Sequence, residues 1–289
     1  MAPMKILAIP HAAGLALLLC VPAAHGQQAA GGAGSLEFAA RITPTAGRPE
    51  PVRQFTFYLL RKSYADIARE AEKQDPLPTR EQFIDGLSLS APLKTWMKAR
   101  GTMDLTSPEA QQGLTADDIV NIPEFLDAYL RANSGGATAS LPRPKYSKAD
   151  KTANPERYRK LHDDYIAALR RFIAANTHTT GGMEEFLDAV NPARPWNQLN
   201  AEHRRKMRRR LPEIAQTKYL AAKADTDLEG HAYVSGLPAG TYWLSTLGLE
   251  VSSGDLRLRW DVPFTIEPGK TARIELTNLN AAEENPSAP

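Results

Sequence analysis

Hydrophobic and polar residues alternate near the two ends of the chain, whereas the middle follows a helical period. The first alternating run places polar or small residues between Leu36, Phe38, Ala40 and Ile42. A period of two predicts a strand with one buried face. The next run, 54–62, is apolar on both faces, which is typical of a strand covered on both sides. After Thr226 the period of two returns and predicts strands at 231–235, 241–248, 255–266 and 271–278.

Between these two β regions, helix-capping residues recur along the chain. Ser63, Thr79 and Thr115 each precede an acidic or amide residue three positions later, which is the arrangement of a capping box. Asn154 precedes a proline at a first helical position. In the last predicted helix, Pro212 removes an amide donor and is expected to kink or divide the segment. The pattern predicts helices at 64–74, 79–86, 91–100, 116–132, 155–175, 182–190 and 200–222.

The stretch TDLEGHAYVSGLPAGTYWL, which starts at Thr226, combines turn residues with two strands. Asp227 is placed to accept hydrogen bonds from turn amides, and Gly230 permits a positive φ. This arrangement resembles the carboxypeptidase regulatory-like domain, a transthyretin-like or prealbumin-like β-sandwich with a carbohydrate-binding-like fold. That family has a T-D-x-x-G turn before F-x-F-x-G-L-P-P-G-x-Y-x-L. Here Ala232 and Val234 occupy the two aromatic positions, and an alanine replaces the second proline.

The resemblance covers residues 35–62 and 225–280, and the residues between them have no counterpart in the family. It implies an α+β protein: an antiparallel Greek-key β-sandwich, transthyretin-like, interrupted by an all-helical insertion (63–224) between its second and third strands. Such an insertion costs little free energy, because loop-closure entropy grows only with the logarithm of loop length. In the parent enzymes the sandwich is an accessory to the catalytic domain, so the resemblance implies no activity. The whole chain also resembles exported bacterial proteins of this architecture.

Residues 1–26 resemble a secretory signal peptide, because a basic start and an apolar run are followed by small residues. Cleavage is expected near Gly26–Gln27, which leaves a linker at 27–34 and predicts a periplasmic or secreted protein. The only cysteine, Cys20, would leave with this segment, so we expect neither disulfides nor cysteine-ligated metals. Elsewhere no segment approaches the ~20 apolar residues of a membrane span. Residues 281–289 are expected to form a disordered tail.

Composition and motifs exclude several functional classes. The chain is 42% hydrophobic and 24% charged with a net charge of +2, which indicates a globular protein without a special charge preference. It has no H-E-x-x-H, G-x-S-x-G, P-loop or G-x-G-x-x-G motif, so we expect no enzyme activity and no cofactor. Asp225, Asp227 and Glu229 are too few and too close in sequence to form a calcium site, and turn capping is expected instead.

These exclusions favour an exported, non-enzymatic binding or cell-envelope interaction module. Export argues against a nucleic-acid partner, and the sequence leaves the ligand and the oligomeric state open. An enzyme with its site between the insertion and the sandwich is a third interpretation, which no motif supports.

The most distinctive charged segment is EHRRKMRRR, with the six cations Arg204, Arg205, Lys206, Arg208, Arg209 and Arg210. On a helix they cover most of the circumference and leave Met207 and Leu211 as the inward positions. One interpretation is a patch for an anionic partner, such as an acidic glycan or another envelope component. The other is a solvated helix face that pairs with nearby acids such as Glu202 and Glu213.

A second candidate surface surrounds Trp243, which alternation places opposite Tyr242 and Leu244 on an outer sheet face. Flat aromatic side chains stack on sugar rings, so the alternative function is a carbohydrate-binding protein that uses Trp243 with Arg257 or Arg259. The competing interpretation is that the helical insertion covers Trp243. The predicted strand in 54–62 has the apolar residues Tyr58 and Leu60 on its outer face, and this face also needs a cover.

Overall fold

The computed structural model describes residues 32–135 and 140–282. The predicted signal peptide, most of the predicted linker and most of the predicted tail lie outside the described residues. Within the described ranges, strands stand on both sides of a long helical segment, so the protein has an α+β architecture.

In this part of the chain, three strands precede the helices and seven follow them. The first three are β1 (Gly34–Ile42), β2 (Glu50–Pro51) and β3 (Thr56–Leu60). The others are β4 (Leu220–Asp225), β5 (His231–Leu237), β6 (Gly240–Ser245), β7 (Val251–Ser253), β8 (Leu256–Leu258), β9 (Asp261–Ile266) and β10 (Thr271–Leu276).

Three helices between β3 and β4 begin directly after the predicted capping residues Ser63, Thr79 and Thr115. Ser63 accepts a hydrogen bond from the amide of Asp66, and Thr79 and Thr115 form complete capping boxes. The helices are α1 (Tyr64–Gln74), α2 (Arg80–Gly86), α3 (Ala91–Arg100), α4 (Pro108–Gln112), α5 (Ala116–Asn121), α6 (Pro123–Ala132), α7 (Asp150–Ala153), α8 (Pro155–Ala175), α9 (Met183–Leu187) and α10 (Ala193–Ile214). Short 3₁₀ turns occupy Thr177–Thr180, Asp188–Val190 and Asn278–Asn280.

The strands form two four-stranded sheets and one separate hairpin. The first sheet has the order β10-β1-β2, with β5 also paired to β1; the second has the order β4-β3-β6-β9; β7 pairs with β8. Most pairs are antiparallel, but β1 and β10 run parallel, with Ser35 opposite Thr271. The antiparallel prediction is therefore wrong for this pair. No hairpin joins β1 to β10, so no tight turn fixes their relative direction.

The two sheets pack face to face around a shared core, which we call the sheet core. The rings of Phe38 from β1 and Phe57 from β3 meet edge to face, with centroids 5.2 Å apart. The alternation of β1 is as predicted, because Leu36, Phe38, Ala40 and Ile42 are buried. Other members of the sheet core are Val52, Leu59, Ala224, Leu237, Tyr242, Leu244, Val251, Trp260, Ile266 and Leu276.

The outer face of the second sheet packs against the first and last helices of the segment. A cluster of buried side chains at this contact, here called the junction cluster, contains Leu60, Ile67, Ala71, Met207, Leu211, Ala215 and Leu247. The remaining helices form a separate helical core, in which the rings of Trp96 and Phe125 lie 4.9 Å apart. Helices α1 and α10 therefore connect the sheets to an independently packed helical body.

Three of the predicted helices differ from the structure by more than one residue. The predicted helix 116–132 is interrupted at Ile122, because Pro123 starts a new helix. The predicted helix 200–222 begins earlier, at Ala193, and continues past Pro212 to Ile214. A π-helical turn then leads into β4, which pairs with β3 and whose first three residues lie in the predicted helix. The predicted helix 182–190 is helical only to Leu187 before a 3₁₀ turn follows.

Candidate functional site

Four arginines cover the exposed side of α10. We call Arg204, Arg205, Arg208 and Arg209 the arginine face. Because helix positions four apart lie in one row, Arg204 stands in line with Arg208, and Arg205 with Arg209. All four side chains are exposed, and within the described residues none has a carboxylate within ion-pair distance. Met207 and Leu211 lie outside the sector that the two rows cover, and both are buried as predicted.

The other two cations of the predicted patch pair with Asp75, the residue directly after α1. Lys206 and Arg210 both contact the carboxylate of Asp75, with Arg210 Nη1 at 3.6 Å from Oδ2. These contacts hold the pKa of Asp75 below its usual value. One turn earlier, His203 Nε2 lies 2.8 Å from Glu72 Oε2. The predicted six-cation patch is thus divided into a paired side that faces α1 and an unpaired side that faces solvent.

The acids that the sequence suggested as partners do not pair with these cations. The carboxylate of Glu202 accepts a hydrogen bond from Gln198 Nε2 at 2.9 Å, and no ion pair of Glu213 is present among the described residues. The packing of α10 on α1 provides the reason: Asp75 lies across the helix contact, within reach of both Lys206 and Arg210.

Trp243 lies at the junction between the second sheet and the helices. It stands opposite Leu60 in the β3–β6 register and packs, half-buried, against the junction cluster with Tyr58. This placement gives Trp243 a packing partner on the outer face of its sheet. Sugar binding by Trp243 stays a prediction.

The two arginines predicted to accompany Trp243 lie on another element. Arg257 is in β8 and Arg259 follows it, and both contact Glu250, with Arg257 Nη1 at 3.7 Å from Oε2. The β7–β8 hairpin is separate from the sheet that contains Trp243. No hydrogen bond or cation–π contact in the described part of the chain joins either arginine to Trp243.

Asp261 connects the second sheet to the start of α1. Its Oδ2 accepts hydrogen bonds from the amides of Tyr64, at 2.8 Å, and Ala65, at 3.4 Å. Burial raises the pKa of Asp261 to about 6, although the amides of Tyr64 and Ala65 and the Ser245 hydroxyl act in the opposite direction. Burial and the nearby Asp261 carboxylate also raise the pKa of Tyr64 to about 12. This carboxyl group was not singled out from sequence.

A concave acidic surface, which the sequence does not reveal as a cleft, is formed by residues of β1 and β5 in the first sheet, of β4 in the second sheet, and of the turn between β4 and β5. We call it the acidic cleft; its cavity volume is about 380 Å³, and it is lined by Glu37, Asp225, Asp227, His231, Ala232 and Tyr233. Glu37 stands opposite Tyr233 in the β1–β5 register, and the side chains of both point away from the sheet core. Their outward positions follow from alternation, but their pairing across 196 residues of chain has no sequence signal.

Hydrogen bonds hold the groups of the acidic cleft in place. Asp227 Oδ1 accepts from the amides of Glu229, at 2.9 Å, and His231, at 2.8 Å. Asp225 Oδ1 accepts from Thr56 Oγ1 at 2.5 Å, and the Tyr233 hydroxyl donates to Ser35 Oγ at 2.9 Å. The turn-capping role predicted for Asp227 is confirmed by these contacts.

Neither surface contains an arrangement of metal ligands. Within the described residues, no group of three or more histidine, cysteine or acidic side chains is arranged to hold a metal ion. None of the described helices combines the length and apolar character that a membrane crossing requires.

Comparison with known proteins gives little information on this chain. No family model matches it, and no curated protein matches it. Among solved structures, the pilus backbone protein RrgB of Streptococcus pneumoniae is similar at 13% identity and a TM-score of 0.21, over 83% of this chain and 40% of the pilin. The full-length major pilin RrgB gives 14% identity and a TM-score of 0.22, over 84% and 30%. The chain thus spans less than half the length of these pilins, and the low TM-scores carry no conclusion on fold or function.

Proposed function

We propose that the protein is an exported, non-enzymatic module of the cell envelope that binds an anionic partner through the arginine face. The observation that supports it is the set of four exposed arginines on α10 without a carboxylate partner in the described residues. The expected signal peptide supports a periplasmic or secreted location. Carbohydrate binding at Trp243 is the alternative, but no specific observation favours it.

The chemistry of the arginine side chain supports an anionic partner. The guanidinium group is always charged and presents a planar fork of donors that matches the two oxygens of a carboxylate or phosphate group. Two rows of such groups along one helix offer several anion contacts to the same partner. Repeated anionic groups on one polymer would therefore bind more tightly than a single one.

We also propose that the two sheets form a transthyretin-like Greek-key sandwich of the carboxypeptidase regulatory-like type, interrupted by the helical segment. The geometry of the T-D-x-x-G turn supports this assignment. Gly230 has a φ of 80°, and a Cβ atom at this position would lie 2.6 Å from the carbonyl oxygen of Ala40. Glycine is therefore required where this turn passes β1.

The proposal is tested by the retention of the mature chain, 27–289, on immobilised polygalacturonate and polyphosphate, with neutral dextran as the reference. Replacing Arg204, Arg205, Arg208 and Arg209 by glutamate should weaken binding roughly 30-fold, because exposed ion pairs contribute about 0.5 kcal/mol each. Retention of the unaltered protein should fall as salt is added, because exposed charges are screened.

A matched control reverses four other exposed cations, Lys151, Arg157, Arg159 and Lys160, none of which has an ion pair in the described structure. This variant has the same change in net charge and should retain most of the binding. Equal losses in the two variants would mean that total charge decides retention. Absence of salt-sensitive retention on either polyanion would reject the proposal.

A further inference from the structure

The arginine face lies on the helix that covers the second sheet, whereas Glu37 and Tyr233 of the acidic cleft lie on the first sheet. Helix α10 packs on the outer face of the second sheet through Met207 and Leu211. Glu37 and Tyr233 point outward from the first sheet, on the far side of the sheet core. Among the described residues, no arginine of the arginine face forms an ion pair with a carboxylate of the acidic cleft in the same chain.

Both surfaces have charge that the chain itself does not neutralise. Asp225 and Asp227 have no cation within ion-pair distance in the described structure, whereas Glu37 pairs with Arg273 at 3.1 Å. The exposed arginines on α10 are likewise without carboxylates in the described ranges. Opposite unpaired charges on two separate surfaces of one chain are complementary between copies of that chain.

The acidic cleft has features that suit a guanidinium group. Its carboxylates are oriented by hydrogen bonds from Thr56 and from the amides of Glu229 and His231. The side chain of Tyr233 is 62% exposed beside them, and its hydroxyl group is held by Ser35. Arginine stacks on aromatic rings while its donors bind carboxylates, so both contacts are available to one side chain in the cleft.

We infer that the arginine face of one molecule docks in the acidic cleft of a second copy of this chain. This inference rests on the proposed function, since it names the anionic partner that the arginine face binds. The contact joins two different surfaces, so it is heterologous, and a dimer keeps one free arginine face and one free acidic cleft. Repetition of the contact produces a head-to-tail chain, or a ring where the rotation closes.

Two variants that each block one surface test the inference by sedimentation velocity. The first replaces Arg204, Arg205, Arg208 and Arg209 by glutamate; the second replaces Glu37 and Asp225 by lysine and leaves the turn residue Asp227 intact. In low-salt buffer the unaltered mature chain should form oligomers that grow with protein concentration and dissociate on addition of salt. Each variant alone should remain monomeric, with a dissociation constant raised at least tenfold.

An equimolar mixture of the two variants distinguishes this contact from general charge effects. Each variant retains one intact surface, and these two surfaces are complementary, so the mixture should associate. The glutamate surface of one variant and the lysine surface of the other are also of opposite charge, so species larger than a dimer agree with the inference. A mixture that stays monomeric would overturn the inference, as would an unaltered chain that is monomeric at every concentration in low salt. Persistent assembly of the cleft variant alone would also overturn it, because the partner surface would then lie elsewhere.

The fold of each variant is checked first by circular dichroism. If the lysine variant is unfolded, Glu37→Gln with Asp225→Asn removes the same charges with nearly unchanged shape. Retention on polygalacturonate, measured on monomeric protein, separates the two proposals. An unaltered chain that stays monomeric at every concentration but is retained through the arginine face contradicts the self-association and leaves the proposed function in place, whereas loss of both rejects both.

Discussion

The two sheets differ in what lies on their outer faces. The outer face of the second sheet carries Leu60, Tyr58 and Trp243 and is covered by α1 and α10. The outer face of the first sheet carries Glu37, Tyr233 and Arg273 and is open to solvent. Both inner faces contribute to one sheet core, so the sheets are equivalent in burial on that side.

This difference is visible in the residue pattern of the two N-terminal strands. β1 alternates apolar and polar side chains, as a strand with one wet face does, whereas β3 is apolar on both faces. A strand with two apolar faces needs a cover that the sheets alone do not provide. The helical segment provides that cover for the second sheet, and the polar groups of the first sheet stay exposed to solvent.

The largest effect is expected from truncation at the covered face. Leu60 is fully buried between β3 and the helices, so Leu60→Ala should lower the free energy of unfolding by about 3 kcal/mol, through lost burial and the resulting cavity. On the open face Tyr233→Ala should change it by less than about 0.5 kcal/mol. Urea denaturation of both variants measures the two changes in unfolding free energy. Similar losses would contradict the conclusion that the outer face of the second sheet is covered and that of the first sheet is open.

The next effect concerns pH at the contact between α1 and the second sheet. Burial raises the pKa of Asp261 to about 6, so the folded state binds this proton more tightly than the unfolded state does. The contribution of this group to stability is full below about pH 4 and is lost as the pH rises to about 6, a change of about 2–3 kcal/mol.

The variant Asp261→Asn keeps an oxygen that accepts from the amide of Tyr64 but cannot ionise. We expect the difference in unfolding free energy between this variant and the unaltered protein to increase in favour of asparagine from pH 4 to pH 6. Other carboxyl groups titrate equally in both proteins and cancel in the difference. Parallel stability curves over this range would show that Asp261 ionises freely in the folded state.

A smaller effect is expected at Trp243, whose side chain is only half-buried. Trp243→Ala should lower the free energy of unfolding by about 2 kcal/mol, less than the 3–5 kcal/mol typical of a fully buried aromatic residue. Thermal unfolding of both proteins measures the loss of stability, and repeating it with a panel of soluble sugars shows whether a sugar stabilises either protein. Unchanged stability together with lost saturable sugar binding would place Trp243 on an open surface and favour the carbohydrate alternative.

The local features of the fold were predictable from sequence. Helix α8 has the predicted bounds, 155–175, because Asn154 caps it and proline opens it. Strand β4 was not predictable, because its sequence, LAAKAD, has no alternation that opposes a helix. It is extended because β3 pairs with it from a position about 160 residues earlier, and no local pattern reports such a partner.

The candidate surfaces were predictable only in part. The run of cations in EHRRKMRRR identified α10, and the helical period identified Met207 as inward. Which cations remain unpaired depends on Asp75, the residue directly after α1, and nothing in the sequence connects it to Lys206 and Arg210. The acidic cleft required the β1–β5 register, which is a tertiary property.

The strand pairing also sets the order in which the protein can fold. β1 pairs with β5 and β10, and β3 pairs with β4 and β6, so the main partners of both strands follow the helical segment in the chain. Pairings of such long sequence separation form slowly, because a large loop must close first. The helical segment has its own core and can fold before the sheets. We expect contact between α1 and α10, through Ile67, Ala71, Met207 and Leu211, to bring the end of β3 near the start of β4. The closure of a long flexible loop would then become the docking of two nearby strands.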